Sequence, residues 1–166
     1  MINIKIICVG KLGEDYLKNA QNEYLKRLSK YCKIEVIELS DIKLPQGNIS
    51  DMQKEQIKQK ECFEIQKKLD KLNSNDRYSI FTLDLKGKEY DSVEFANLID
   101  DTSKYVSSTI IFIIGGTLGL TDNILSKSQK IICFSKLTFP HQLFRIFLLE
   151  QIFRSFKILN NENYHH

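Results

Sequence analysis

The stretch Ser108-Thr109-Ile110-Ile111-Phe112-Ile113-Ile114-Gly115-Gly116 decides how the chain folds. Five apolar residues run without a break from Ile110 to Ile114, so the polar alternation of a strand with one wet face is missing. The run is also too short for a buried helix and stops at a Gly-Gly pair. It reads as a strand from Ser108 to Ile114 covered on both faces, the habit of parallel sheets. Working outward, Tyr78 to Asp84 reads as another strand. A helix from Asp91 to Ile99 joins the two, its apolar face made of Val93, Phe95, Ala96, Leu98 and Ile99. Downstream come a short helix (Thr121 to Ser128) and a strand (Lys130 to Phe134). Pro140 then opens a helix to about Leu159, since proline is tolerated in a first helical turn.

Upstream, Ile2 to Val9 is a strand stopped by Gly10, and Glu14 to Ser29 carries Tyr16, Leu17, Ala20, Tyr24 and Leu28 at helical spacing. Lys33 to Glu38 alternates as a second strand, and a polar loop through Pro45 and Gly47 leads to Ser50, a helix N-cap. The helix it opens, Asp51 to Leu72, has only a thin apolar stripe of Met52, Ile57, Phe63, Ile65 and Leu69. Strand and helix thus alternate along the whole chain. The expected fold is α/β, a mainly parallel sheet flanked by helices, with residues 1–166 forming a single domain.

Composition closes off other classes. With 166 residues, 42% hydrophobic and 27% charged, wholesale disorder is excluded. The longest apolar runs, Ile110 to Ile114 and Ile146 to Leu149, fall far short of the ~20 residues of a membrane span. No charged leader precedes the first strand, so a cytoplasmic location is expected. Cys8, Cys32, Cys62 and Cys133 are scattered without C-x-x-C spacing, which suits free thiols in a reducing compartment. His141, His165 and His166 are not spaced to share a zinc ion with them, so no metal is expected. The net charge of +3 is uneven. Residues 1–122 hold 18 Lys/Arg against 19 Asp/Glu, whereas residues 123–166 hold 6 against 2, which points to an anionic partner for the C-terminal quarter.

The last helix is apolar nearly all round: Leu143, Phe144, Ile146, Phe147, Leu148, Leu149, Ile152, Phe153, Phe156 and Ile158. One sheet face needs only a ~100° stripe, so a second copy of the chain is expected to cover the rest, giving a homodimer. The P-loop, G-x-G-x-x-G, G-x-S-x-G and H-E-x-x-H motifs are all missing. Chemistry must then come from three loops at the carboxyl ends of the last three strands: Leu83 to Lys88, Ile114 to Leu120 and Phe134 to Gln142. Open α/β sheets bind ligands there. Main-chain groups and apolar side chains in such loops suit an adenosine-like ligand. Arg145 and Arg154, with Tyr164 and His165 at the tail, are placed to face an anionic substrate.

These residues resemble a known family. Val9-Gly10-Lys11, Leu83-Asp84 with Gly87-Lys88, Ile114-Gly115-Gly116 with Gly119-Leu120, and Phe134-Ser135-Lys136-Leu137-Thr138-Phe139-Pro140-His141-Gln142 stand in order. Leu149-Glu150-Gln151 with Arg154 and a closing Tyr164-His165 complete the match, and the T-F-P-H-Q run is its most specific part. The chain closely resembles the RlmH family of SPOUT-class RNA methyltransferases. Phe153, Ser155, Cys133 and His166 depart mildly from the family pattern. The resemblance implies S-adenosylmethionine as donor, N3 of a pseudouridine in 23S ribosomal RNA of the assembled ribosome as acceptor, and a C-terminal trefoil knot around the donor. Carried over by motif, the donor site is Leu83, Gly115, Phe134, Ser135, Lys136, Leu137, Thr138 and Phe139.

The reaction needs N3, methyl carbon and sulfur aligned, and a proton removed from N3. His141 and His165 are the candidate bases. His141, in a first helical turn, has packing or capping as its other reading. Arg145, Arg154 and Lys136 would steady phosphate or the developing imide anion, with Tyr164 beside them. Two other functions fit the same features: a ribosome-binding dimer without chemistry, and a SPOUT enzyme acting on transfer RNA.

Overall fold

A computed structural model, describing residues 1–72 and 77–163, carries the two-faced burial through the middle of the sheet. In β4 (Thr109–Ile114), Ile110, Phe112 and Ile114 join one core cluster while Ile111 and Ile113 join another. The period-two geometry of strands splits β1 (Asn3–Val9) in the same way, Ile4, Ile6 and Cys8 against Ile7 and Val9. With β2 (Lys33–Leu39), β3 (Tyr78–Glu89) and β5 (Lys130–Cys133) they form one sheet in the order β2-β1-β4-β3-β5. Every pairing is parallel. Helices α1 (Asp15–Leu28), α3 (Ser92–Asp101) and α5 (His141–Leu159) cover one face; α2 (Asp51–Asp70) and α4 (Asp122–Ser126) cover the other. The expected α/β architecture is the observed one. All four cysteines are buried and free.

Several expected details differ, each for a physical reason. The buried face of α2 is Glu61, Cys62, Ile65 and Leu69, so Met52 and Phe63 of the expected stripe lie exposed on other faces of the helix. Phe63 is capped instead by the Lys67 ammonium, 4.8 Å from its ring centre. Val93 is likewise exposed, in the first turn of α3. That helix passes Ile99 and widens into a π-helical turn, Thr102–Val106, closed by the Ser107 N–H on the Thr102 carbonyl at 2.9 Å. β3 runs on past Asp84 because a register shift lets both Leu83 and Lys88 pair with Ile132. The residues between them leave the sheet as a ledge.

Helix α5 also corrects an argument. It packs on the sheet between α1 and α3, so Ile146, Leu148, Leu149, Ile152 and Phe156 are buried within one chain. Three neighbours, not one, account for its apolar girth, and the surplus that pointed to a second copy shrinks to Phe147 and the pocket rim near it.

Candidate active site

Strands β4, β3 and β5 are neighbours in the sheet, so their carboxyl-end loops meet at one edge. Between them lies a cavity of about 520 Å³, within the range of roughly 300–1,000 Å³ usual for small-molecule sites. One wall is the β3 ledge, Asp84 to Lys86, folded back by a hydrogen bond from the Lys86 N–H to the Asp84 carboxylate at 2.9 Å. A second is the Gly115–Gly119 turn, where Gly116 and Gly119 pair as an antiparallel bridge and the Gly119 N–H reaches the Gly116 carbonyl at 3.0 Å. The third is the segment after β5. There the Ser135 hydroxyl accepts from the Leu137 N–H at 3.0 Å.

Aromatic packing holds that third wall. Phe134 stacks on Phe144 of α5, centroids 5.8 Å apart, and meets Phe95 edge-on at 5.8 Å. Phe95 in turn contacts Phe112 at the sheet centre. Each such contact contributes about 0.5–1.5 kcal/mol beyond area burial. A row of rings thus carries the rigidity of the core to the pocket.

Of the eight donor-site residues expected, seven line this cavity: Leu83, Gly115, Phe134, Ser135, Leu137, Thr138 and Phe139. Lys136 does not. It is exposed. Phe144 and Ile132 line the cavity too and were not anticipated, because one lies inside a helix and the other inside a strand with nothing polar to flag them. Backbone edges, apolar walls and a glycine turn fit an adenosine-bearing ligand. They would poorly suit a polyphosphate.

His141 lines the cavity at the first turn of α5. Its Nε2 is buried and finds no hydrogen-bond partner among the described residues. The reason is its neighbour: a Cβ on Gly10 would stand 2.5 Å from that nitrogen. Gly10 also has φ +98°, where a side chain is strained, so glycine is needed twice over. Burial holds the imidazole below the usual histidine value, Asp41 pulling it up and Arg145 pushing it further down.

Arg145 corrects the expectation that it faces a substrate. It is 1% exposed, and its guanidinium donates to the Gly10 carbonyl at 2.7 Å, to Gln21 at 3.2 Å and to Glu38. It holds the end of β1 against α5, the same Gly10 on which His141 leans. Arg154 lies thirteen residues beyond His141, which at ~1.5 Å per residue is roughly 20 Å along α5. It engages Glu150 on the same helix through Nε and Nη2 at 3.0 and 2.7 Å. One chain therefore does not bring Arg154 to this pocket. Tyr164 and His165 lie outside the described residues.

No group of three or more His, Cys, Asp or Glu among the described residues is arranged to hold a metal ion, and no described helix is long and apolar enough to cross a membrane. Residues 2–165 match the family described as "Predicted SPOUT methyltransferase". The chain is 50% identical over 164 residues to a protein of Clostridium tetani called ribosomal RNA large subunit methyltransferase H, covering 99% of each chain. Proteins of the same name from Clostridium botulinum and Clostridium perfringens are 50% and 48% identical over 165 and 164 residues, again covering 99% of each chain. With a pocket of the expected kind at the expected sheet edge, and likeness running through essentially the whole length, this chain belongs to the SPOUT methyltransferase family.

Proposed function

We propose that the protein transfers a methyl group from S-adenosylmethionine to N3 of a pseudouridine in 23S ribosomal RNA, as a cytoplasmic homodimer acting on the assembled ribosome. The observation that carries the reading is the convergence of Leu83, Gly115 and the Phe134 to Phe139 segment on one cavity. The names of relatives at about half identity support the ribosomal RNA target. The bound donor supplies an activated methyl on a sulfonium. The chain's part is to hold it by backbone and apolar contacts, aim the methyl at the pocket mouth, and take up the N3 proton.

His141 is the base available within one chain. Burial favours the uncharged imidazole, the form that can accept a proton, and Gly10 fixes the ring's position. Arg145 acts as a positioning residue through Gly10, not as a catalytic one. Arg154, Tyr164 and His165 enter as catalytic groups from the partner copy: Arg154 is too far along α5 to serve its own pocket, and an antiparallel neighbour reverses that offset. The face through which the copies meet includes the groove beside the pocket formed by Tyr90, Phe139 and Phe147. Lys136, which is exposed, meets RNA phosphate. The reading includes the C-terminal knot around the donor.

Isothermal titration with S-adenosylhomocysteine should give one site per chain, and Gly115→Val should abolish binding by filling the turn. Mass spectrometry of ribosomal RNA from cells lacking the protein should show one N3-methylated pseudouridine missing. Equal methyl transfer to free ribosomal RNA or transfer RNA as to intact ribosomes would overturn the substrate assignment.

A further inference from the structure

Glu61 is the one carboxylate that helix α2 buries. It is 4% exposed on a helix otherwise rich in solvated Lys, Gln and Glu. Burying a carboxyl is costly unless its oxygens are used. Here Oε1 accepts the Ile42 N–H at 2.9 Å, and Oε2 has no hydrogen-bond partner among the described residues. What Oε2 does touch is the Gly116 backbone. A Cβ at Gly116 would lie 2.5 Å from it, 3.2 Å from the Glu61 Cδ, and 3.1 Å from a Val9 methyl. The next residue grips the far end of the same turn, where the Cys62 Sγ accepts the Thr121 N–H at 3.3 Å. Two consecutive residues of α2 therefore back both ends of the turn whose front lines the cavity. The surrounding burial pushes the Glu61 carboxyl up, the Ile42 N–H pulls it down, and Asp41 adds to the rise.

We propose that Glu61 is a positioning residue for donor binding: from the back of the sheet its carboxyl props the Gly115–Gly119 turn at Gly116 and ties it to Ile42 in the loop after β2. The proposal rests on the reading of the cavity as the donor site. Without the prop the turn's backbone is free to sag away from the ligand, so the loss falls on donor affinity and not on the chemical step. An amide at this position has the carboxyl's shape and keeps an oxygen for Ile42. It supports the turn nearly as well. A shorter carboxylate reaches neither Gly116 nor Ile42.

The test titrates S-adenosylhomocysteine into the full-length wild-type protein, Glu61→Gln, Glu61→Ala and Glu61→Asp, with KM and kcat for donor measured on ribosomes. Glu61→Ala and Glu61→Asp should weaken affinity and raise KM about tenfold with kcat nearly unchanged, whereas Glu61→Gln should stay within about threefold of wild type. Gly116→Ala should also weaken binding, and Gly116→Ala combined with Glu61→Ala should lose less than the product of the two, since the new methyl occupies vacated space. If Glu61→Ala does not fold, the Gln and Asp pair makes the same discrimination. Wild-type binding with unchanged affinity in Glu61→Ala and Glu61→Asp, or additive losses with Gly116→Ala, overturns the propping role alone. A wild-type protein that does not bind the probe overturns the donor-site reading and this proposal with it.

Discussion

Arg145 has a guanidinium 1% exposed and tied to Gly10, Gln21 and Glu38, so truncating it removes a donor from a buried backbone carbonyl and leaves the Glu38 carboxylate with the weaker Leu12 N–H contact at 3.4 Å. Arg145→Ala should cost about 2–4 kcal/mol in urea denaturation, the lower end reflecting how much water Glu38 still reaches. Arg145→Lys should recover little, because one ammonium cannot span three acceptors. His141 predicts a pH effect of definite sign. Its folded value is depressed, so below about pH 6.5 the unfolded chain binds a proton that the folded chain resists. Its stabilising contribution is present above that pH and is lost as pH falls toward the folded value. The loss of stability between pH 7.5 and 5.5 should be smaller in His141→Asn than in wild type. Reading charge alone put Arg145 at the substrate, because its partner Glu38 stands 107 positions away and nothing local announces the pairing. The residues that line the cavity are legible, since glycines and small polar residues after a strand have a known use at a sheet's carboxyl edge. That Lys136 alone of the Phe134 to Phe139 segment stays off the cavity wall is not legible, because a loop has no fixed side-chain period.

Among the elements, those with strong periodicity and caps were readable to within a residue or two. Ser50 is the N-cap of α2, its hydroxyl accepting the Gln53 N–H while the Gln53 side chain accepts the Ser50 N–H. Asp91 closes the same reciprocal box with Glu94 at α3. Ser50→Ala and Asp91→Ala should each lower stability by about 1 kcal/mol. Neither side chain lines the donor cavity, so S-adenosylhomocysteine affinity should hold in both; an affinity loss in Ser50→Ala would contradict the assignment of its role. Phe112, fully buried at the sheet centre, should cost about 3–5 kcal/mol on truncation to alanine. The stripe of α2 was misread because Met52 and Phe63 are apolar by composition yet off the face that Cys62, Ile65 and Leu69 define. The β3 ledge and the π-helical turn left no trace in the pattern. Each depends on a register or a closure that packing imposes.

For the molecule as a whole, light scattering of the purified protein should give twice the chain mass of 19.4 kDa. Removing residues 163–166 should leave that mass and the donor affinity in place while abolishing methyl transfer. Transfer that survives the truncation would mean the tail has no part in the reaction. The α/β layering was legible because alternation of strand and helix fixes layer order with few alternatives. Strand order was not, and it has a consequence for biosynthesis. The sheet places β4 between β1 and β3, so neither of those strands gains its shared neighbour until residue 114 has emerged. From the emergence of Glu89 to that of Ile114 a nascent chain thus carries apolar edges of both β1 and β3 unzipped, a state that invites chaperone capture or aggregation. A message truncated just before Thr109 should yield an inclusion body, whereas losing only the last few codons should not.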